Sequence, residues 1–235
     1  MHLSNAVYYD IMILYMCEEG IFMTKFLLVR HGQSLANLQE RFAGHYDAPL
    51  TEHGQAQARA VGKYVAEHYD VDAIYSSDLS RAYDTARPAS LLLGIDIIPE
   101  KGLREIFEGK WSGERFVDIK ENFSEDFNHW RTDIGTARCT GGESTEELLF
   151  RVRATLTRIA EENDGKTVLI ATHATPIRVM QTFVETGDLR AMQKIPWVTN
   201  ASISEVVYSD GEWHFEAIGI TDHLGDLAVS PPKNV

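Results

Sequence analysis

Cysteine is almost missing from this chain. The two present, Cys17 and Cys139, stand far apart without metal-binding spacing, so reduced thiols in a cytoplasmic setting are the expectation. Positive charge is scarce too: 22 Lys and Arg face 35 Asp and Glu, a formal net charge of −13. With no basic stripe to displace counterions from phosphates, a nucleic-acid partner is excluded. Long apolar runs are lacking. Ala6–Tyr15 is fairly apolar, but Asp10 interrupts it and it falls short of the ~20 residues that a membrane span needs. No basic segment precedes it and no small-residue cleavage site follows, so neither a signal peptide nor a membrane partner is expected. The nine histidines contain no i,i+4 pair and no His-Glu-x-x-His, which argues against a zinc hydrolase. No metal and no cofactor is expected.

What is present is an ordinary globular composition, 44% hydrophobic and 24% charged, in a chain long enough for one large domain or two small ones. Its centre of organisation is Phe26-Leu27-Leu28-Val29-Arg30-His31-Gly32-Gln33-Ser34. A short continuous apolar run is how a buried parallel strand reads, and ligands in open α/β sheets sit beyond the strands' carboxyl ends. Arg30 and His31 are therefore expected at the mouth of a site. Gly32 is expected to let the backbone turn and to bring main-chain N–H groups near a ligand. A nucleophilic imidazole beside a guanidinium suits phosphoryl transfer through a phosphohistidine; the plainer alternative is a His that merely ends a strand.

Behind this turn, strand and helix patterns alternate. A short helix is expected around Ser34–Gln39, followed by a loop through Arg41–Pro49 and a helix from the N-cap Thr51 to about Tyr69. That helix carries Ala60, Tyr64 and His68 on one face, with Val61 and Val65 adjacent. Ala73–Ser76 reads as a strand. Asp78 is expected to cap a helix bearing Arg81 and Thr85, with a kink or break just before Pro88. Another apolar run, Ile95–Ile98, leads to Leu103-Arg104-Glu105. Residues 109–142 are irregular, with short helical pieces near Phe116–Glu121 and Ser124–Trp130. Ser144 and Glu147 form a capping box ahead of a helix whose apolar stripe is Leu148, Val152, Leu156 and Ile159. Lys166–Thr172 is a strand ending at His173, Pro176 suits the first turn of the next helix, and Gly187 stops it. Ala201–Ser209 and Glu212–Ile220 read as a β-hairpin through Asp210-Gly211, and Asp222–Val235 as a tail. Gly165-Lys166-Thr167 resembles the end of a P-loop, but there a helix precedes and a strand follows, the reverse of what phosphate cradling requires.

Residues 1–22 read as an extension. Glu18-Glu19-Gly20 requires purine-rich codons a few nucleotides upstream of Met23, where a bacterial ribosome-binding site would lie, so the segment is expected to be a start-site artefact. The rival reading is an N-terminal helix docked on the domain.

Arg30-His31, Arg81, Glu105 and His173 all fall at or just past strand ends. The pieces that carry a resemblance are Leu28-Val29-Arg30-His31-Gly32-Gln33-Ser34 with Asn37, then Leu50-Thr51-Glu52-His53-Gly54 with Gln57-Ala58. Ser76-Ser77-Asp78-Leu79-Ser80-Arg81-Ala82 with Thr85-Ala86, Leu103-Arg104-Glu105 with Gly109, Trp111 and Gly113, Gly141-Gly142-Glu143-Ser144, and Thr172-His173 complete the set. In order and content they resemble the histidine phosphatase superfamily, on its phosphoglycerate mutase-like branch. The resemblance implies that His31 is the nucleophile, Glu105 the proton donor, and Arg30, Arg81 and His173 the phosphate-binding groups, with Gln33, Asn37 and Ala174 completing the substrate pocket. Glu108 is the fallback acid, and the alternative for Glu105 is a salt bridge to Arg104. Flanking arginines are expected to hold His31 neutral, while the phosphate dianion beside His173 is expected to raise its pKa and make it a cationic clamp. Ala174 stands where the family usually has Gly, and its methyl would crowd the phosphate if the backbone there needs φ > 0.

The resulting expectation is an α/β fold, a three-layer α/β/α sandwich with a mostly parallel central sheet and a short helical cap insertion. Residues 23–221 form the domain, with the cap at about 108–142 and a tail at 222–235. The expected activity is metal-independent hydrolysis of a small phosphorylated metabolite. A cofactor-dependent phosphoglycerate mutase is the alternative, less favoured because the cap is short and holds only Arg115, Arg131 and Arg138. A catalytically inactive binding protein on the same fold is the remote one. Substrate identity is expected to lie in the cap and the Arg41–Asp47 loop, with Trp111, Phe116, Phe123, Phe127 and Trp130 either facing substrate or filling core. A homodimer is left open.

Overall fold

The computed structural model describes residues 22–229. Nearly all of the expected extension over residues 1–22, and the last six residues, lie outside the described residues. Strand β1 (Met23–Arg30) is followed by a one-turn helix α1 (Leu35–Leu38), helix α2 (Glu52–His68), β2 (Ala73–Ser76), α3 (Ser80–Leu93) and the edge strand β3 (Ile97–Pro99). Helices α4 (Phe116–Asn122) and α5 (Ser124–Thr132) make the cap. Then come α6 (Thr145–Glu162), β4 (Thr167–Thr172), α7 (Ala174–Thr186) and the hairpin β5 (Ile203–Ser209) and β6 (Glu212–Ile220). The six strands form one sheet in the order β3-β2-β4-β1-β5-β6. The first four are mutually parallel, and β5 and β6 are antiparallel additions.

Side-chain alternation along β1 makes the layers. Leu27 and Val29 enter a core with Val61 and Val65 of α2 and Ala82, Ala86 and Ala89 of α3. Phe26 and Leu28 enter the opposite core with Leu148, Val152, Leu156 and Ile159 of α6, Ile177 and Met180 of α7, and the cap's Trp111, Ile119, Phe127 and Trp130. Burying each large apolar side chain contributes roughly 1.5–3 kcal/mol, so a sheet buried on both faces has a strongly fixed register.

Local chemistry sets the element boundaries. The Ser144 hydroxyl accepts from the Glu147 N–H while the Glu147 carboxylate accepts from the Ser144 N–H, the expected capping box. Asp210 and Gly211 both have positive φ (51° and 86°), as the tight turn between β5 and β6 demands.

Four local expectations are corrected. The buried positions of α2 include Ala58, Val61 and Val65, while His68 is exposed. Pro88 lies inside α3 without ending it. There α2 and α3 are in very close contact, for a Cβ on Gly62 would fall 2.7 Å from the Pro88 Cβ, and this packing offsets the lost N–H. Asp78 does not cap α3: it takes a bidentate pair from Arg104 at 2.5 and 2.6 Å, and the Ser80 N–H donates instead to Asp47. Residues 223–229, read as tail, are docked. Leu224 is buried, the His223 ring stacks on Tyr64, and the Leu227 carbonyl accepts from His53 and Gln57 of α2.

Candidate active site

Neighbouring parallel strands β2, β4 and β1 end at the same edge of the sheet, with Arg30 opposite Thr172 and Ser76 opposite Ala171. The residues that follow are Ser77, His173 and His31. The ladder runs one step further, His31 N–H to the Thr172 carbonyl and Ser77 N–H to the Ala171 carbonyl, both 2.9 Å, which fixes where each side chain departs. The His31 and His173 rings meet edge to face at 5.1 Å.

His31 is 4% exposed, and its Nδ1 lies 2.7 Å from its neighbour's carbonyl, that of Gly32. A carbonyl only accepts, so Nδ1 carries the hydrogen and Nε2 keeps the lone pair. Burial, and then the charges of Arg81 and Arg30, push the ring's pKa well below 6.5. The neutral nucleophile expected from the sequence is what these surroundings favour. The clamp expected of His173 depends on a phosphate beside it. Fully buried, with Nε2 2.8 Å from the Ser77 hydroxyl and Nδ1 without a partner, this ring too is pushed well below 6.5, by burial and then by Arg81. The protein's own groups therefore do not make it a cation; that charge state would need a phosphate dianion alongside.

Arg30 and Arg81 are buried with pKa values lowered to about 10, chiefly by desolvation, and so remain charged at neutral pH. Carbonyl groups aim them: Arg30 Nη1 donates to Val198 (2.6 Å), and Arg81 donates to Tyr46 (3.0 Å) and Gly44 (2.7 Å). Both Nε atoms are buried without a protein partner. Glu105 lies near both guanidiniums and is 9% exposed, its carboxylate accepting from the N–H groups of Ile106 (2.8 Å) and Thr175 (3.3 Å). Arg104 pairs with Asp78, so the salt-bridge alternative for Glu105 falls away.

Arg30, His31, Arg81, Glu105, Gln33, Asn37 and Ala174 all line one cavity of about 740 Å³, whereas His173 is fully buried beside His31 and is not part of the lining. The Gln33 carbonyl oxygen accepts from Thr51, and Asn37 closes the α1 capping box with Ser34. Ala174 opens α7 in ordinary helical backbone and is not among the positive-φ residues, so the expected crowding has no backbone cause. Gly32 is required for a different reason from the one expected. Its N–H is taken by Thr85, and a Cβ there would lie 2.5 Å from the Gly54 carbonyl oxygen of α2. Glu108, the fallback acid, is placed outside the cavity. Both its oxygens accept backbone N–H groups, of His45 (2.6 Å) and Tyr46 (3.1 Å), so it braces the Arg81-binding loop.

Several supporting residues escaped the sequence reading. Arg151 of α6 donates to the carbonyls of Gly102, Arg104 and Glu105 while paired bidentately with Glu143, so the Gly-Gly-Glu-Ser signature holds the segment that presents Glu105. Arg178 of α7 grips the Met192 and Ile195 carbonyls and stacks on Trp197, beside the carbonyl that orients Arg30. Asn200 donates to the His31 carbonyl at 2.9 Å. Of the aromatic candidates, Phe116, Phe127 and Trp130 reach the cavity, while Trp111 is core. Among the described residues no helix is long and apolar enough to cross a membrane, and no group of three His, Cys, Asp or Glu is placed to hold a metal ion.

Residues 26–221 match the family model of the histidine phosphatase superfamily (branch 1). Phosphoserine phosphatase 1 of Hydrogenobacter thermophilus is 32% identical over 214 residues, covering 91% of this chain and all of that protein. The probable phosphoglycerate mutase GpmB of Salmonella choleraesuis is 32% identical over 216 residues, covering 88% and 98%. Among solved structures, Bacillus stearothermophilus YhfR superposes with a TM-score of 0.81 at 28% identity, covering 86% of this chain and 99% of that one.

Proposed function

The chain belongs to the histidine phosphatase superfamily, and from that premise we propose that it hydrolyses a small phosphate monoester through a phosphohistidine on His31. The observation that carries this reading is one pocket holding a buried neutral imidazole, two arginine Nε donors without a hydrogen-bond partner and a carboxyl. The His31 Nε2 lone pair attacks phosphorus while the bond to the bridging oxygen breaks. Glu105, in its acid form, hands its proton to the departing oxygen. The resulting carboxylate then takes a proton from water, whose oxygen attacks phosphorus, and the P–N electrons return to Nε2. Arg30 and Arg81 offer oriented donors to the phosphoryl oxygens in both steps. Residues 23–221 form the catalytic domain in this reading, acting in the cytoplasm.

The leaving group tests the assignment of Glu105. An aliphatic alkoxide needs the proton and p-nitrophenolate does not, so Glu105→Gln should lose ~10²–10⁴-fold in single-turnover cleavage of alkyl phosphates and far less with p-nitrophenyl phosphate. Equal losses on both would reduce Glu105 to a pocket-shaping residue. The mutase alternative is separated by supplying 3-phosphoglycerate with 2,3-bisphosphoglycerate: inorganic phosphate release supports hydrolysis, 2-phosphoglycerate formation the mutase.

A further inference from the structure

The cavity's cations lie in two tiers. Arg30 and Arg81 are buried at its floor, 4% and 0% exposed. Arg41, Arg115, Lys120 and Arg131 also line it, and the last three are exposed on the cap. Among the described residues only Glu40 and Glu105 bring carboxylates to the lining, in a chain whose net charge is −13. Two rim cations are already engaged. Arg41 donates to the Gly113 carbonyl and Gln39, and Arg115 is held bidentately by Asp118 at 2.7 and 2.8 Å. Lys120, in the last turn of α4, and Arg131, in the last turn of α5, have no hydrogen-bond or ion-pair partner for their charged ends among the described residues. Cavities of roughly 300–1,000 Å³ take ligands of drug size, and about 740 Å³ is far more than a phosphoryl group on a three-carbon chain fills. The walls add apolar surface from Phe116, Phe127, Trp130 and Trp197.

We propose that the substrate carries a second anionic group, a carboxylate or another phosphate, set off from the reacting phosphate by a sugar-sized body, and that Lys120 and Arg131 receive it. The inference rests on the phosphatase reading and specifies the substrate class of the same pocket. A charge on the substrate's far end supplies the counterion that these two side chains lack, and the aromatic wall packs the body between.

Three esters with a phosphate on C6 test it: glucose 6-phosphate has an uncharged far end, 6-phosphogluconate a carboxylate there, and glucose 1,6-bisphosphate a second phosphate. The expected result is a kcat/KM about 10-fold or more above that of glucose 6-phosphate for at least one of the charged pair, which also identifies the anion. In the Lys120→Ala/Arg131→Ala double variant that ratio should fall about 10-fold, the scale of two partly exposed ion pairs, and added salt should shrink it in the wild type. Ratios near one in the wild type, or a ratio that the double variant leaves in place, would overturn the proposal. So would 3-phosphoglycerate outpacing all three. If p-nitrophenyl phosphate also releases nothing, the phosphatase reading itself has failed and takes this inference with it.

Discussion

The rings of His31 and His173 meet edge to face with their centroids 5.1 Å apart, one lining the cavity and the other sealed from it. Both are buried against Arg81, and each is held in its neutral form more firmly than a free imidazole.

Stability should therefore fall on acidification. The unfolded chain takes up protons at these rings near pH 6.5, whereas the folded chain resists until well below it. Stability is then fully present above about pH 6.5 and is lost as pH falls toward the folded values. Urea midpoints at pH 7.5 and 5.5 should differ in that direction, and His173→Asn should narrow the gap. An unchanged gap in that variant would show that His173 titrates normally.

The two nearby glutamates should behave differently. Glu108→Gln puts an amide NH₂ against a backbone N–H, costing about 1–3 kcal/mol of stability, yet any effect on cleavage should be the same for alkyl and aryl phosphates. Leaving-group dependence appearing in Glu108→Gln, and not in Glu105→Gln, would exchange their roles.

Arg151 tests whether Glu105 depends on its scaffold. Arg151→Met removes donors to three carbonyls and leaves Glu143 unpaired, a loss of about 2 kcal/mol for a partly buried pair. If the segment's only task is to present the acid, kcat for alkyl phosphates should drop more than kcat for p-nitrophenyl phosphate. Equal drops would make the contact purely structural.

What the sequence made legible was chemistry that acts locally. The apolar run ending at Arg30-His31 is β1, and the Ser144 and Glu147 capping box opens α6 as expected; Ser144→Ala should cost about 1 kcal/mol in a denaturation midpoint. The family motifs brought Arg30, His31, Arg81 and Glu105 to one cavity. Contacts between distant segments were not legible. Asp78 pairs with Arg104 rather than capping a helix, Pro88 is tolerated because α2 presents a glycine to it, and Glu108 spends both oxygens on a loop 62 and 63 residues away. That the protein's own groups hold His173 neutral was not legible, because complete burial and the charge of Arg81 come from segments distant in sequence. Lys120 and Arg131 were countable in the sequence, but their place on the cavity rim was not.

The central claim is covalent phosphorylation of His31, and rapid quenching with radiolabelled p-nitrophenyl phosphate tests it most directly. The expected result is an acid-labile, base-stable adduct on the peptide containing His31, formed in the presence of EDTA, accumulating in Glu105→Gln and absent from His31→Ala. An adduct that persists in His31→Ala, or turnover by the wild type through no adduct at all, would contradict it.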